Sequence, residues 1–404
     1  MVSCLFCFRL FQRYLVFVLF SLVVPIIYSS QSRENLHPLI LVPGDGGSQA
    51  YCKPKEGSGI FLIWINLWYF LRPESLFDLF SIIFDPSTGE IKDSDACEVV
   101  FPGWGSTWSI ENLDSYRHYA TSYFEPLVLA LQKEPYFVPN KTLRGAPFDF
   151  RKAPNQNLDF MMRFKLLIED TYTVSGNKRV VLLGHSMGSL YSLAFLRSMS
   201  VEWKQKYIKT FLSVSGPLGG SVKALKLEVS GDNFGIYVRS PVSFRSVQRS
   251  LPSTAFLLPD PLLFPPSEPL IVTPTKNYSA HDYERLFQDI NAPTVYQLMQ
   301  LTKPSVDATV SPTGVDEIYC VHGVDVPTIY QVVYSEPTFY NKGFPDSYSS
   351  LIYGDGDGTV HTRSLELCRY WHGSRYLVLK GAEHLKIVGD SRLIDLVRQV
   401  VGLR

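Results

Sequence analysis

The 404-residue chain has no excess of either charge: 38 basic residues balance 38 acidic ones. No run of Lys or Arg is long enough to grip a polyanion, so nucleic-acid binding is set aside. Internal repeats and low-complexity segments are absent. So is any uninterrupted apolar stretch of the roughly 20 residues that a permanent membrane span requires. Cysteine is scarce, with six in the chain. The remainder is ordinary globular composition, 46% hydrophobic and 19% charged, with chain enough to bury a large core.

The longest apolar run near the start, Tyr14 to Tyr28, follows Arg9 and Arg13 and ends at Ser29 and Ser30. A positive flank, a short apolar stretch and small residues after it predict a secretory signal peptide over residues 1–30. Cys4 and Cys7 would leave with it, and Cys52, Cys97, Cys320 and Cys368 would remain. An even number in an oxidising compartment predicts two disulfides; three pairings are open, and the sequential one is the simplest. The tripeptides beginning at Asn140 and Asn277 are acceptor sites for N-glycosylation, which agrees with passage through the secretory pathway.

Aromatic residues cluster early. Ile60 to Leu71 is interrupted by a single polar side chain, Asn66. It is too short to cross a bilayer and too apolar all round for an exposed soluble helix, which leaves a buried helix or a surface that dips into lipid. Downstream, Pro38–Val42, Arg179–Leu183, Ile208–Val214, Glu317–Val321 and Tyr376–Leu379 read as strands, with helical pattern over 119–131, 158–172 and 189–199. Continuous aliphatic strands alternating with helices predict a mostly parallel sheet covered on both faces. From Leu225 to about Pro266 the pattern breaks into Gly, Ser and Pro, longer than an ordinary connection and so a lid or binding loop.

The strongest local signal is Gly184-His185-Ser186-Met187-Gly188, directly after a strand and before a helix. Gly-x-Ser-x-Gly in that setting is a nucleophile elbow, in which the sharp bend demands small flanking residues. A serine hydroxyl is a weak nucleophile near neutrality; it needs an imidazole to take its proton and a carboxylate to hold the imidazole's tautomer. In this strand-turn-helix arrangement the chain order is serine, acid, histidine. Asp355 and Asp357 both lie in the glycine-rich turn 354–358, and a calcium-loop reading of that turn fails where Thr359 and Val360 replace the required ligand and glycine. Of His361, His372 and His384, the last follows a strand through a short turn, where a base should be delivered; His185 should point away from the elbow. Backbone amides of Met187 and of Asp45, in the turn after the first core strand, are the expected oxyanion donors.

Several blocks recur together in the order of a known family: His37 to Asp45, Arg144 to Arg151, Gly184 to Gly188, Ser230 to Asn233 and Gly354 to Val360. The chain resembles the lecithin:cholesterol acyltransferase superfamily, and within it the lysosomal phospholipase A2 branch, also called group XV phospholipase or acylceramide synthase. Gly184 stands where that branch usually has alanine, and the loop after Cys52 is longer. The resemblance implies an α/β-hydrolase fold, a triad of Ser186, Asp357 and His384, and disulfides Cys52–Cys97 and Cys320–Cys368. It implies a membrane-binding subdomain carrying Trp64, Leu67, Trp68, Phe70 and Leu71, and a mobile lid over roughly 225–258. The expected layout is core over 31–50, insertion over 51–100, core over 101–224, lid and cap over 225–316, and core again over 317–404. Family members cleave glycerophospholipid acyl esters through an acyl-serine and pass the acyl group to water or a lipid alcohol such as ceramide. Neither metal nor cofactor is required. The expected partners are a phospholipid or lipoprotein surface and a lipid acyl acceptor, met by a monomer in the lysosome or outside the cell. The rival readings are an enzyme that makes cholesteryl esters and a lipid-binding protein without catalysis.

Overall fold

The computed structural model describes residues 35–116, 119–235, 239–339, 341–346 and 350–403. The segment read as a signal peptide lies outside the described residues.

Six strands form the central sheet: β1 (Leu39–Val42), β2 (Leu143–Gly145), β3 (Val180–His185), β4 (Ile208–Val214), β5 (Glu317–Val324) and β6 (Ser374–Lys380). Their spatial order is β6-β5-β4-β3-β1-β2, and every pairing is parallel. Successive side chains of a strand point to opposite faces, so a strand covered on both sides must be apolar at every position. β1 shows this directly. Leu39 and Leu41 join Leu127, Leu131, Leu393 and Val397 on one face, while Ile40 and Val42 join Phe160, Phe164 and Phe195 on the other. The flanking helices are Glu125–Gln132 and Ser391–Val400 on the first face and Leu158–Val174 and Met187–Ser198 on the second.

The chain runs outward from β1 to β2, then returns to place β3 on the other side of β1. Loops leaving the carboxyl ends of β1 and β3 therefore belong to connections that run to opposite sides, the point in open parallel sheets where ligands bind. Both the glycine turn after β1 and the elbow after β3 lie at that point.

Three further parts surround the sheet. Strands Ala50–Pro54, Phe61–Trp64 and Cys97–Val100 make a small antiparallel sheet closed by the Cys52–Cys97 disulfide, whose Cα atoms are 5.5 Å apart. A hairpin of Val326–Val333 and Ser350–Gly356 leaves the end of β5 and returns just before Asp357. The Cys320–Cys368 disulfide joins β5 to the 3₁₀ helix Glu366–Tyr370. The lid stretch contains structure that its composition concealed: helices Val222–Ser230, Arg245–Arg249 and Pro252–Phe256, packed with Leu286, Phe287 and Val332 in a core of their own or against the main one. Gly231 and Pro241 break it into pieces too short to show helical periodicity.

Candidate active site

Ser186 stands at the turn between β3 and the helix Met187–Ser198 with φ 54° and ψ −129°, a conformation that costs a non-glycine residue energy unless its surroundings hold it. The Ser186 N–H donates to the Val214 carbonyl at 2.9 Å, and the Ser186 carbonyl accepts the Ser189 N–H at 2.9 Å. The flanking glycines follow from contact distances. A Cβ at Gly184 would sit 2.6 Å from the Gly188 oxygen, and one at Gly188 would sit 2.3 Å from the Val42 and Pro43 oxygens. Gly44 belongs to the same close approach, since its Cβ would lie 2.6 Å from that of Ser186. The glycine turn after β1 is thus pressed against the nucleophile.

His384 Nε2 lies 2.9 Å from Ser186 Oγ, and its Nδ1 lies 2.7 Å from Asp357 Oδ2. All three side chains are buried. The second carboxylate oxygen of Asp357 accepts the N–H groups of Thr359 at 3.1 Å and Val360 at 2.9 Å. Burial alone would raise the Asp357 pKa; the His384 charge and these hydrogen bonds more than offset it and leave the group below its ordinary value. Asp355 has a different task, for its carboxylate accepts the Asp325 N–H at 2.7 Å and the Thr362 hydroxyl at 2.6 Å. With Ser186, His384 and Asp357 in this order, the imidazole can take the serine proton while the ionised carboxylate holds its tautomer, an arrangement able to make the hydroxyl a nucleophile toward an ester carbonyl.

The lecithin:cholesterol acyltransferase family model matches residues 60–311 and 300–391, most of the chain. The chain belongs to the lecithin:cholesterol acyltransferase family. It is 35% identical over 382 residues to the lysosomal phospholipase A and acyltransferase of Homo sapiens, with 90% of each chain covered. It is 31% identical over 386 residues to the phosphatidylcholine-sterol acyltransferase of Rattus norvegicus, covering 91% of this chain and 85% of that one. Among solved structures, a chain of the Tle4–Tli4 complex superposes with a TM-score of 0.53 at 12% identity, covering 91% of this chain and 99% of that one, a likeness of fold alone.

In this member of the lecithin:cholesterol acyltransferase family the early aromatic run divides. Phe61–Trp64 is a strand and Leu67–Phe70 a single helical turn capped by the Asn66 side chain, so neither a continuous buried helix nor a uniform lipid-facing surface describes it. Leu67 and Trp68 are 62% and 57% exposed, Leu71 is exposed as well, and Ile60 and Phe61 extend the patch. Phe70, only 3% exposed, faces the core and leaves the set of side chains that can meet lipid. Trp64 is partly buried and held from within. Its indole N–H donates to the Gly46 carbonyl at 2.8 Å, and its rings pack against Phe70, Phe80, Phe150 and Phe234. Trp64 therefore ties the insertion to the glycine turn beside Ser186, and Phe234, from the lid stretch, rests on it. Asn140 and Asn277 are both exposed.

One polar cluster escaped the sequence reading. Tyr123 and His185 are buried beside the triad and hydrogen-bond each other. Nothing local marks Tyr123, because its partners are 62 and 79 residues away.

Proposed function

We propose that this chain hydrolyses the acyl esters of glycerophospholipids and transfers the acyl group to water or to a lipid alcohol such as ceramide, with Ser186, His384 and Asp357 as its triad. The observation that carries the reading is the buried Ser186–His384–Asp357 chain of hydrogen bonds at 2.9 and 2.7 Å. The substrate class is supported by relatives named for phospholipase A and acyltransferase activity and by the exposed apolar patch around Trp68.

His384 Nε2 takes the Ser186 proton as Oγ attacks the ester carbonyl, and the Asp45 and Met187 amides bind the oxyanion. The C–O bond to the glycerol oxygen breaks, the imidazolium returns its proton to that oxygen, and lysophospholipid leaves. A water or alcohol then gives its proton to His384 and attacks the acyl-serine, and Ser186 recovers its proton as that ester bond breaks. Leu67, Trp68 and Leu71 dock on lipid, and helices within 225–258 shield the acyl-serine, which favours lipid alcohol over water as acceptor. We read residues 1–30 as a signal peptide removed in the secretory pathway, Asn140 and Asn277 as glycosylated, and the enzyme as a monomer delivered to the lysosome or secreted.

The test is product analysis on vesicles of phosphatidylcholine with ceramide or cholesterol, at acid and neutral pH, beside Ser186→Ala. Fatty acid and acylceramide from the wild type alone, with fluorophosphonate labelling that the variant loses, is the expected result. Cholesteryl ester as the main product transfers the assignment to sterol acylation, and absence of labelling overturns the triad.

A further inference from the structure

His185 precedes the nucleophile and is fully buried, yet it stands outside the triad. Its Nε2 lies 2.8 Å from the main-chain oxygen of His384. A carbonyl can only accept, so Nε2 carries the hydrogen and Nδ1 is left as an acceptor. The group that meets Nδ1 is the Tyr123 hydroxyl, which must donate to it. That hydroxyl oxygen in turn accepts the Gly44 N–H at 3.1 Å. One buried chain therefore runs from the Gly44 N–H through Tyr123 Oη and the His185 ring to the His384 carbonyl, with each donor matched to one acceptor.

Its ends are the working parts of the site. Gly44 adjoins Asp45, whose amide is the proposed oxyanion donor, and His384 carries the base. The middle is the residue bonded to Ser186. Tyr123 is fixed in turn: its backbone N–H donates to the Glu111 carbonyl at 2.7 Å, the Phe124 ring lies 4.5 Å from its own between centroids, and a Cβ on Gly47 would come within 2.9 Å of the ring. Burial and the neighbouring His384 charge lower the His185 pKa and favour the neutral ring, and its two partners then set the hydrogen on Nε2.

We propose that Tyr123 and His185 are positioning residues that set the oxyanion donors and the imidazole at a fixed separation across Ser186. This rests on the reading of Ser186 as nucleophile. Neither side chain touches substrate; each acts through the backbone it pins. Tyr123→Phe leaves the Gly44 N–H and His185 Nδ1 unpaired, and the two halves of the site lose their common register.

The test measures kcat and KM for Tyr123→Phe, His185→Gln and the double variant, all normalised to Ser186 sites titrated with a fluorophosphonate. Each single variant is expected to lose about 10- to 100-fold in kcat at nearly constant KM, the scale of an ångström-sized misplacement of catalytic groups. The double is expected to lose no more than the worse single, because both break one chain. Turnover per titrated site within twofold of wild type, or losses that multiply in the double, would overturn the proposal. A role confined to folding lowers the titratable fraction and the melting temperature without moving turnover per site. A variant that fails to fold leaves the unmodified enzyme as arbiter: ¹⁵N NMR of its histidine rings should show His185 with the hydrogen on Nε2, and the opposite tautomer breaks the chain. Wild type that takes no label at Ser186 refutes the triad instead, before any variant is compared.

Discussion

Arg151, fully buried in the core, reaches Asp93 of the insertion at 2.6 Å. The same guanidinium donates to both oxygens of Asp149 at 2.8 Å and to the Phe80 carbonyl at 3.2 Å. Its fork geometry lets one side chain satisfy three partners from two parts of the chain, which lysine could not do. The insertion over 51–100 is thereby fastened to the core by a charged pin. Arg151→Ala takes from Asp93 its buried cation and leaves Asp149 with Lys152 alone, at a cost of about 3 kcal/mol. Urea unfolding should show that loss, and a change within experimental error would mean that water or relaxation already replaces the pin.

Glu228, on the helix Val222–Ser230, is 0% exposed, and neither of its carboxyl oxygens has a hydrogen-bond partner among the described residues. Burial pushes its pKa well above the ordinary value, and the Arg249 charge offsets this only in part. The sign of the pH effect follows. Above about 4.3 the unfolded chain releases this proton while the folded chain keeps it, so Glu228 makes stability fall as pH rises from there toward the folded pKa. Glu228→Gln keeps the shape and removes the titration. Its melting temperature should match wild type near pH 4 and exceed it at pH 7, and a constant difference across that range would contradict the assignment.

Five of the six central strands and the nucleophile elbow were legible because the pattern that makes them lies within a short segment, whereas the choice of Asp357 over Asp355 came only from the resemblance to the family. β1 and the first four residues of β3 are buried on both faces and read as unbroken apolar runs, β4 keeps Lys209, Thr210 and Ser213 among its apolar residues, and the elbow's glycines are demanded by atoms of the turn and by the Val42 and Pro43 oxygens packed against it. β2 was not legible: Leu143–Gly145 holds one aliphatic residue and becomes a strand only by pairing with β1. The run from Ile60 to Leu71 divides at Trp64 because Gly46 and Phe150, distant in sequence, claim that indole. The hairpin that delivers Asp357 was hidden for another reason. Much of Ser350–Gly356 is exposed, so one face lacks the apolar alternation by which a strand announces itself.

Around Trp68 the exposed patch has a cation above it, with the Arg72 guanidinium 3.4 Å from a ring centroid. That pairing suits an interface where rings enter the acyl boundary and a charge stays at the headgroups. Burying Leu67 and Trp68 in lipid should be worth about 3 kcal/mol or more together, so Leu67→Ser with Trp68→Ser weakens vesicle binding about 100-fold. Turnover of a soluble short-chain ester should fall far less than turnover on vesicles. Phe70→Ser, by contrast, should lower the melting temperature, because that ring is in the core. Equal losses on both substrates for the Leu67 and Trp68 pair would mean that these side chains serve the site and not the surface.

Asp357→Asn separates charge from shape. Asp357 Oδ1 already accepts two backbone N–H groups, from Thr359 and Val360, so the asparagine carbonyl takes that place and the amide NH₂ faces His384. An amide that donates to Nδ1 forces the imidazole hydrogen onto Nε2, where it points at Ser186 and can accept nothing. Activity should fall about 10⁴-fold, as expected for a triad held in the wrong tautomer. Stability should respond separately. The depressed pKa of Asp357 means that its ionised form supports the fold above the unfolded value of about 3.9, support that is lost as pH falls through the folded pKa. The variant should therefore unfold more easily than wild type at pH 7 and converge with it in acid, while its inactivity persists at every pH. Recovery of activity under any condition that leaves the substituted amide in place would show that the carboxylate does not set the tautomer.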